Sequence, residues 1–144
     1  MATDRFSAVG DGFNANVLEV ILAPDNVLYA CGDFTLSGTR TINRIAKFLG
    51  GTWLPLGTGM NNTVNSFDVG INGDIVAVGA FSQAGGVNVR NIAFWNGTTW
   101  TNFDVDLSAS QTPITPLAVQ YAPNGDVYIG GDWGSSPSLF SGIN

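Results

Sequence analysis

A segment of this chain recurs 47 positions further on, and no gap is needed to align the two copies. Residues 44–53 fall on residues 91–100, and both stretches run Ile-Ala-x-aromatic and end in Trp. A further shift of 52 positions finds a third copy, in which Ala122-Pro123 stands where Ala23-Pro24 stood in the first. A repeat of about 40–50 residues constrains the fold strongly, because each unit buries its apolar face only against a neighbouring unit.

The third copy is divided between the two ends of the chain. Residues 137–142 stand where residues 45–50 stood, and the sequence ends before an equivalent of Trp53. Residues 6–13 match residues 53–60 in pattern. We therefore predict a single repeat domain, residues 1–144, in which an N-terminal closure strand completes the third unit. The closure strand contains Phe6, Ala8 and Gly10, and the three units span about 14–60, about 61–107, and about 112–144 plus 5–13.

Each copy predicts four short strands. In the first copy these are residues 17–22, 27–32, 44–49 and 53–57, with a Gly-, Ser- and Thr-containing loop over residues 35–43. No segment has an apolar period of 3.6 residues long enough for a helix. The chain is therefore expected to be all-β.

Turn residues separate the first and second strands of every copy. They are Pro24-Asp25-Asn26, Asn72-Gly73-Asp74 and Asn124-Gly125-Asp126. Asn-Gly favours a type I′ hairpin, whose two central residues both need positive φ. We predict tight hairpins of this kind at the second and third sites.

Four strands in a repeat of this length are typical of a β-propeller blade. A single small sheet cannot bury both of its faces, so blades stack around an axis. Two aromatic positions recur once per copy and are predicted to pack between neighbouring blades. They are Phe34, Phe81 and Trp133 at the first position, and Phe48, Trp95 and Phe140 at the second.

Three blades are too few for a closed ring, because propellers typically use about four to eight. The open faces and edges that remain are templates for association. We therefore expect homo-oligomerisation, with a dimer giving six blades as the favoured form and a nine-bladed trimer as the alternative. An excised piece of a longer propeller, or another arrangement of three sheets, stays open.

The composition excludes several classes of function. Charged residues are 11% of the chain, with 5 Lys+Arg against 11 Asp+Glu and a net charge of −6, so a nucleic acid or an anionic membrane is not expected as a partner. The chain has no His, and Cys31 is its one cysteine, which removes His-based catalysis and intrachain disulfides. We expect no enzyme activity, no cofactor and no metal. The N-terminal residues lack the pattern of a secretory signal, and no membrane-spanning run occurs.

Three stretches resemble a known propeller-type repeat. They are residues 79–87 with Gly-x-Phe and a Gly-rich loop, residues 92–100 with Ile-Ala-x-Trp-Asn-Gly-x-x-Trp, and residues 56–60 with Leu-Gly-x-Gly-Met. The pattern is similar to kelch- or WD-like repeats of secreted bacterial surface proteins and phage virion proteins. This resemblance implies a propeller fold and a location on a virion or cell surface. Because the chain is short and has no signal peptide, a phage virion component is favoured.

Alternatives from other classes remain open. A carbohydrate-binding adhesin would stack sugars on Trp53 and Trp100, which we expect to be the more exposed tryptophans. A hydrolase would use Asp33 and Asp132, at matched positions after the second strand. The acidic loop residues that could suggest calcium form no Ca²⁺-loop pattern; they are Asp104 and Asp106, with Asp74 and Asp126 in the turns.

The favoured hypothesis is a non-enzymatic structural or decorating module that associates with itself. It would mediate attachment to other virion or cell-surface proteins, for example in a phage capsid, tail or fibre. Glycans enter as partners under the adhesin alternative. We expect Cys31 to be buried and unreactive.

Overall fold

The computed structural model of the chain describes residues 6–103 and 114–132. Over these residues it contains β-strands and no helix, which confirms the prediction of an all-β chain. In this part of the chain no helix is long and apolar enough to cross a membrane. In chain order the strands are β1 (Val17–Leu22), β2 (Leu28–Gly32), β3 (Leu36–Ser37), β4 (Arg40–Thr41), β5 (Ile45–Leu49), β6 (Thr52–Pro55), β7 (Val64–Val69), β8 (Ile75–Gly79), β9 (Gln83–Ala84), β10 (Val87–Asn88), β11 (Ile92–Trp95), β12 (Trp100–Asn102), β13 (Thr115–Tyr121) and β14 (Val127–Asp132).

Two four-stranded antiparallel sheets hold the first and second copies of the repeat. The first sheet has the order β1-β2-β5-β6, and the second sheet has the order β7-β8-β11-β12. β13 and β14 pair as a third sheet. Residues 112–113 and 133–144 of the predicted third unit, including Trp133 and Phe140, lie outside the described residues.

The repeat in sequence is also a repeat in strand register. Ala30 pairs with Ala46 in the first sheet, and Ala77 pairs with Ala93 in the second. β1 and β13 each pack against β7, and we call these three the inner strands. Each carries an irregularity at the same place in the repeat, between Val17 and Glu19, between Val64 and Ser66, and between Pro116 and Ala118. Equivalent residues therefore occupy equivalent backbone positions in all three sheets.

The second sheet lies between the other two. β1 and β2 pack against β7 on one side, while β13 packs against β7 and β8 on the other. Every residue of β8 is buried as a result. Ile75 and Ala77 belong to the core shared with the first sheet, and Val76 and Val78 to the core shared with the third. Burial on both faces explains why this strand is a continuous apolar run instead of an alternating one.

The turns between first and second strands differ from the predicted type I′ form. Asn72 is not left-handed, and Gly73 alone takes a positive φ, of 82°. The N–H of Gly73 donates to the carbonyl of Gly70, and the N–H of Gly70 to the carbonyl of Asp74. This is the pattern of a longer hairpin loop in which one left-handed residue follows a turn. The prediction was wrong because it treated Asn-Gly as the whole loop.

Short β-ribbons occupy the loops between second and third strands. β3 pairs with β4 in the first sheet's loop, and β9 pairs with β10 in the second sheet's loop. The sequence predicted residues 35–43 only as a loop. Left-handed Gly38 and Gly85, with φ of 56° and 58°, sit at the two equivalent turns.

Three apolar clusters form the core. One lies between the first and second sheets and one between the second and third. The last covers the opposite face of the first sheet and includes Ala30, Phe34, Ile42, Ala46 and Trp53. The interfaces between sheets are therefore where the burial is concentrated.

Candidate functional site

The interface between the first and second sheets shows how one repeat covers the next. Tyr29 and Cys31 of β2 face the second sheet, where they meet Phe67 and Val69 of β7. The rings of Tyr29 and Phe67 lie 6.4 Å apart between centroids. Tyr29, Cys31, Phe67 and Val69 are all buried.

The first set of predicted packing aromatics occupies equivalent buried positions. Phe81 is fully buried in the core between the first and second sheets. Phe34, its equivalent, is fully buried on the outward face of the first sheet. There Phe13 stacks on it, with ring centroids 3.9 Å apart. The third member, Trp133, lies outside the described residues.

The second set packs beside the tryptophans that begin the fourth strands. Phe48 lies 5.2 Å from Trp53 and Trp95 lies 5.2 Å from Trp100, both measured between ring centroids. Phe48 is half-buried and Trp95 is buried. Phe140, their predicted counterpart, lies outside the described residues.

Trp53 and Trp100 are not exposed, so the expectation that they are the accessible pair was wrong. Their exposed fractions are 4% and 3%. Trp53 Nε1 donates to the carbonyl of Val9 at 2.9 Å, and Trp100 Nε1 donates to the carbonyl of Leu56 at 2.8 Å. Each ring is covered by a segment that precedes it by 44 residues. Neither ring presents a free face on which a sugar could stack in this packing.

The N-terminal segment, residues 6–14, therefore covers the first sheet in the way that residues 56–61 cover the second. Gly10 and Gly57 are left-handed, with φ of 59° and 60°, and each lies against the paired aromatic rings of its sheet. Asn14 Oδ1 accepts the N–H groups of Thr35 and Leu36. Its equivalent, Asn61 Oδ1, accepts the N–H groups of residues 82 and 83 in the same way.

The predicted closure residues lie at the start of this segment. Phe6, Ala8 and Gly10 are exposed and belong to none of the described strands. Their predicted partners, residues 137–140, lie outside the described residues. The closure strand therefore stays a prediction.

Polar side chains bridge the inner strands of successive sheets, and the sequence did not reveal them as a set. Glu19 Oε2 accepts the N–H of Phe67 at 2.8 Å, and Ser66 Oγ, its equivalent, accepts the N–H of Val119 at 3.2 Å. Asp68 Oδ2 accepts the N–H of Tyr121 at 2.7 Å. The signal was a polar residue at the same place in the first strands of two copies, Glu19 and Ser66. These bonds satisfy backbone groups on the free edge of each inner strand.

One tyrosine joins the turn of the second sheet to the third. The hydroxyl of Tyr121 donates to Asp74 Oδ2. Desolvation raises the pKa of Tyr121, and the hydrogen bond and charge of Asp74 raise it further. Tyr121 therefore keeps its proton and holds the two sheets together. Asp74 acts here as a contact between sheets as well as a turn residue.

The remaining candidate residues have structural partners where the structure describes them. Asp33 Oδ1 accepts the hydroxyl of Thr63 at 2.6 Å, and Asp132 ends β14. Asp104 and Asp106 lie outside the described residues. Burial raises the pKa of the Cys31 thiol, with the nearby Glu19 charge as a smaller cause. Within residues 6–103 and 114–132, no three Cys, Asp or Glu side chains cluster as a metal site would require.

The inner part of the first sheet's outward face is open. Val20 is 59% exposed, whereas Phe67, its equivalent in the second sheet, is fully buried under the first sheet. Leu22 is 65% exposed, whereas its equivalent Val69 is 8% exposed. Leu18 is exposed beside them. We call these three residues, Leu18, Val20 and Leu22, the open apolar face; the N-terminal segment covers only the outer part of that side of the sheet.

At the other end of the described stack, the third sheet exposes the face that in the first sheet packs against the second sheet. Tyr128, the equivalent of Tyr29, is 39% exposed, whereas Tyr29 is 7% exposed. Ala118 and Gln120 of β13 are exposed as well. Each end of the described stack of sheets therefore exposes a face whose equivalents are buried between sheets inside the chain.

Two open clefts flank the interface of the first and second sheets. One, of about 190 Å³, lies between the hairpin turns and is lined by Asp25, Ile71 and Gly73 among others. The other is lined by polar residues that include Asn43, Asn61 and Gln83. Asn43 Nδ2 donates to the Thr58 carbonyl and Asn61 binds the β9 backbone, so both amides already serve the fold.

The chain matches no protein-family model, no curated protein sequence and no solved structure. Within the described residues, the open apolar face and the exposed end of the third sheet are the features that point to a function. Both are surfaces for contact and neither is a constellation of reactive groups.

Proposed function

We propose that this protein is a non-enzymatic structural module of β-propeller type that associates with itself and attaches to other proteins of a virion or cell surface. The observation that carries the proposal is the open apolar face. Its members are exposed in the first sheet, while the second-sheet equivalents of Val20 and Leu22 are buried. An apolar patch of this kind on a monomer marks an interaction surface.

Burial of the open apolar face would favour association with a partner surface. Covering a Val or Leu side chain contributes roughly 1.5–3 kcal/mol relative to leaving it in water. Val20 and Leu22 are each more than half exposed and lie on one strand, so a single partner surface can cover both. The N–H groups at the free edge of β1 add a requirement for hydrogen bonds.

Self-association also explains the number of repeats. Three units in one chain are fewer than the roughly four to eight blades of known rings. A dimer would supply six blades and a trimer nine, and we favour the dimer. In this arrangement the N-terminal closure strand completes the third blade, within its own chain or across the junction between copies.

The titratable groups favour a structural role over catalysis. Burial raises the pKa of the Cys31 thiol and so keeps it protonated, and burial together with Asp74 does the same for the hydroxyl of Tyr121. A nucleophile needs a lowered pKa or an adjacent base, and the chain has no His to act as one. The attachment role on a phage particle rests on the resemblance of residues 79–87 and 92–100 to repeats of virion proteins.

Native mass spectrometry and sedimentation at micromolar concentration test self-association directly. We expect a dimer, of twice 15.1 kDa, as the main species. Val20→Asp should yield monomer, because it places a charge in the apolar contact. Leu49→Asp is a matched control, since Leu49 is also exposed on a strand of the first sheet but lies outside the open apolar face. A wild-type protein that is monomeric under these conditions would refute the proposal.

A further inference from the structure

We propose that two copies associate head to tail, with the open apolar face of one copy packed against the exposed end of the third sheet of the other. The inference rests on the proposed self-association and specifies its geometry. The contact would reproduce, between chains, the interface that the first and second sheets form within the chain.

The repeat alignment identifies the residues that would meet. Tyr29 of the first sheet packs against Phe67 of the second, with ring centroids 6.4 Å apart. A shift of 99 positions carries Tyr29 to Tyr128, and a shift of 47 carries Val20 to Phe67. Tyr128 of one copy would therefore lie against Val20 of the other. Both are exposed in the single chain, and both of their equivalents are buried.

A hydrogen bond across the proposed junction would accompany the apolar contact of Tyr128 with Val20. Within the chain, Asp68 accepts the N–H of Tyr121 from the next sheet. Gln120 stands at the position of Asp68, and Leu22 stands at the position of Tyr121. The side-chain oxygen of Gln120 would accordingly accept the N–H of Leu22 across the junction. An amide oxygen accepts such a bond as a carboxylate oxygen does, without its charge.

The junction differs in one respect from those inside the chain. Glu19 and Ser66 each accept a backbone N–H from the following sheet, but Ala118 stands at that place in the third sheet. The junction between copies therefore has one such acceptor, Gln120, which is as many as between the first and second sheets and one fewer than between the second and third. We expect it to dissociate before the sheets within a chain separate, because those sheets are also joined by the chain itself.

The two faces are chemically different, which gives the contact its direction. The first sheet offers Leu18, Val20 and Leu22, and the third sheet offers Tyr128 and Gln120. Because one face cannot pair with itself in the same manner, the interface is heterologous. Such interfaces generate closed rings when the rotation closes. A closed dimer would contain two of these contacts.

A charge-complementation experiment tests the direction. Val20→Lys and Tyr128→Glu are made in separate chains, and each alone should shift the dimer to monomer in native mass spectrometry. An equimolar mixture should recover the dimer. In the mixed dimer one junction pairs the introduced lysine with the introduced glutamate, and the other retains Val20 with Tyr128. Leu49→Lys mixed with Tyr128→Glu is the control and should give no recovery of the Tyr128→Glu chain.

A second pair of variants guards against misfolding of the charged ones. Val20→Cys and Tyr128→Cys chains, mixed under mild oxidation, should form a disulfide-linked dimer. Val20→Cys alone should form none. Cys31 does not compete, because it is fully buried. Unfolding midpoints within a few degrees of the wild type establish that each variant is folded.

The outcomes separate this inference from the proposal on which it rests. If Val20→Lys abolishes the dimer while Tyr128→Glu leaves it intact, the chains meet in another way and only the head-to-tail geometry falls. The same holds if the charged mixture stays monomeric or if Val20→Cys chains link to each other. A monomeric wild type removes the proposed self-association itself.

Discussion

At Trp100 the indole nitrogen donates to the carbonyl of Leu56, and the ring lies beside Trp95 in the core. At Trp53 the same bond reaches Val9 in the N-terminal segment. A buried carbonyl that loses its donor costs more than an exposed one, because it cannot regain the bond from water. Replacing either tryptophan by phenylalanine therefore removes the same kind of hydrogen bond, which is buried at Trp100 and partly buried at Trp53.

We predict that Trp100→Phe lowers the free energy of unfolding by about 1–3 kcal/mol through the unpaired Leu56 carbonyl alone. Trp53→Phe should cost less, since its bond to Val9 is only partly buried. Urea unfolding followed by circular dichroism measures both. Equal losses at the two sites would contradict the assigned difference in burial.

The raised pKa values of Cys31 and Tyr121 predict a loss of stability at alkaline pH. Each group keeps its proton in the folded state, while in the unfolded chain it releases it near its ordinary pKa, about 8.5–9 for the thiol and about 10 for the phenol. The unfolded state then binds fewer protons, so stability falls as the pH rises. The unfolding midpoint should decline from about pH 9 upward. In Cys31→Ala the decline should begin only near the titration of tyrosine.

At the scale of elements, the segment that follows β6 lies close to the backbone of the first sheet's loop at Asn43. Gly59 is left-handed with φ of 70°, and a Cβ there would lie far inside van der Waals contact with the carbonyl oxygen of Asn43. Gly12, its equivalent, is also left-handed, with φ of 65°, but a Cβ there meets nothing within 4 Å. The two glycines share a backbone conformation and differ only in the closeness of their neighbours.

Gly59→Ala should therefore destabilise the protein more than Gly12→Ala. Both substitutions cost roughly 1–2 kcal/mol for a left-handed alanine. Gly59→Ala should add about 1–3 kcal/mol, because the backbone near Asn43 must move. Parallel denaturant titrations give the difference. If Gly12→Ala is the costlier of the two, the close approach at Gly59 is not what requires glycine there.

The inner-strand bonds make a second prediction at this scale. Glu19→Ala removes the acceptor for the N–H of Phe67, whereas Glu19→Gln retains an amide oxygen in its place. Amide hydrogen exchange at Phe67 should accelerate in Glu19→Ala and stay near the wild-type rate in Glu19→Gln. Unchanged exchange in the alanine variant would show that the Glu19 bond does not protect this strand.

At the scale of the whole molecule, the stack of sheets leaves an apolar face on a chain with a net charge of −6. Two such chains repel each other at low ionic strength, and salt screens that repulsion. The proposed contact is apolar and uncharged, so it loses little to screening. In the proposed association, apolar burial would therefore act against the repulsion between two negatively charged chains.

We predict that the dimer dissociation constant falls as NaCl rises from about 50 to 500 mM, a range over which the screening length shortens to a few Å. Sedimentation velocity across a concentration series measures this. Dissociation by salt would instead indicate ion pairs across the interface. Val20→Asp, which adds one more negative charge at the contact, should remain monomeric throughout this range.

Features set by local chemistry were predictable from the sequence. The prediction placed the first strand at residues 17–22, and it matches β1 because the repeat and the turn residues bound it on both sides. The conformation of Asn72 was not predictable from the Asn-Gly pair, since the length of the hairpin loop decides which residue is left-handed. The burial of Trp53 was missed because its cover, Val9, comes from 44 residues earlier.

By itself the sequence determined that the chain is all-β and that three copies of one unit recur, because alternation, turn residues and period are local properties. It also identified the aromatic positions that repeat, of which Phe34 and Phe81 are buried as equivalents. Only the tertiary structure decided which equivalents are covered. Val20 and Phe67 hold the same place in the repeat, yet a neighbouring sheet buries Phe67 and none of the described sheets covers Val20. Burial depends on what packs from elsewhere in the chain, and no local pattern contains that information.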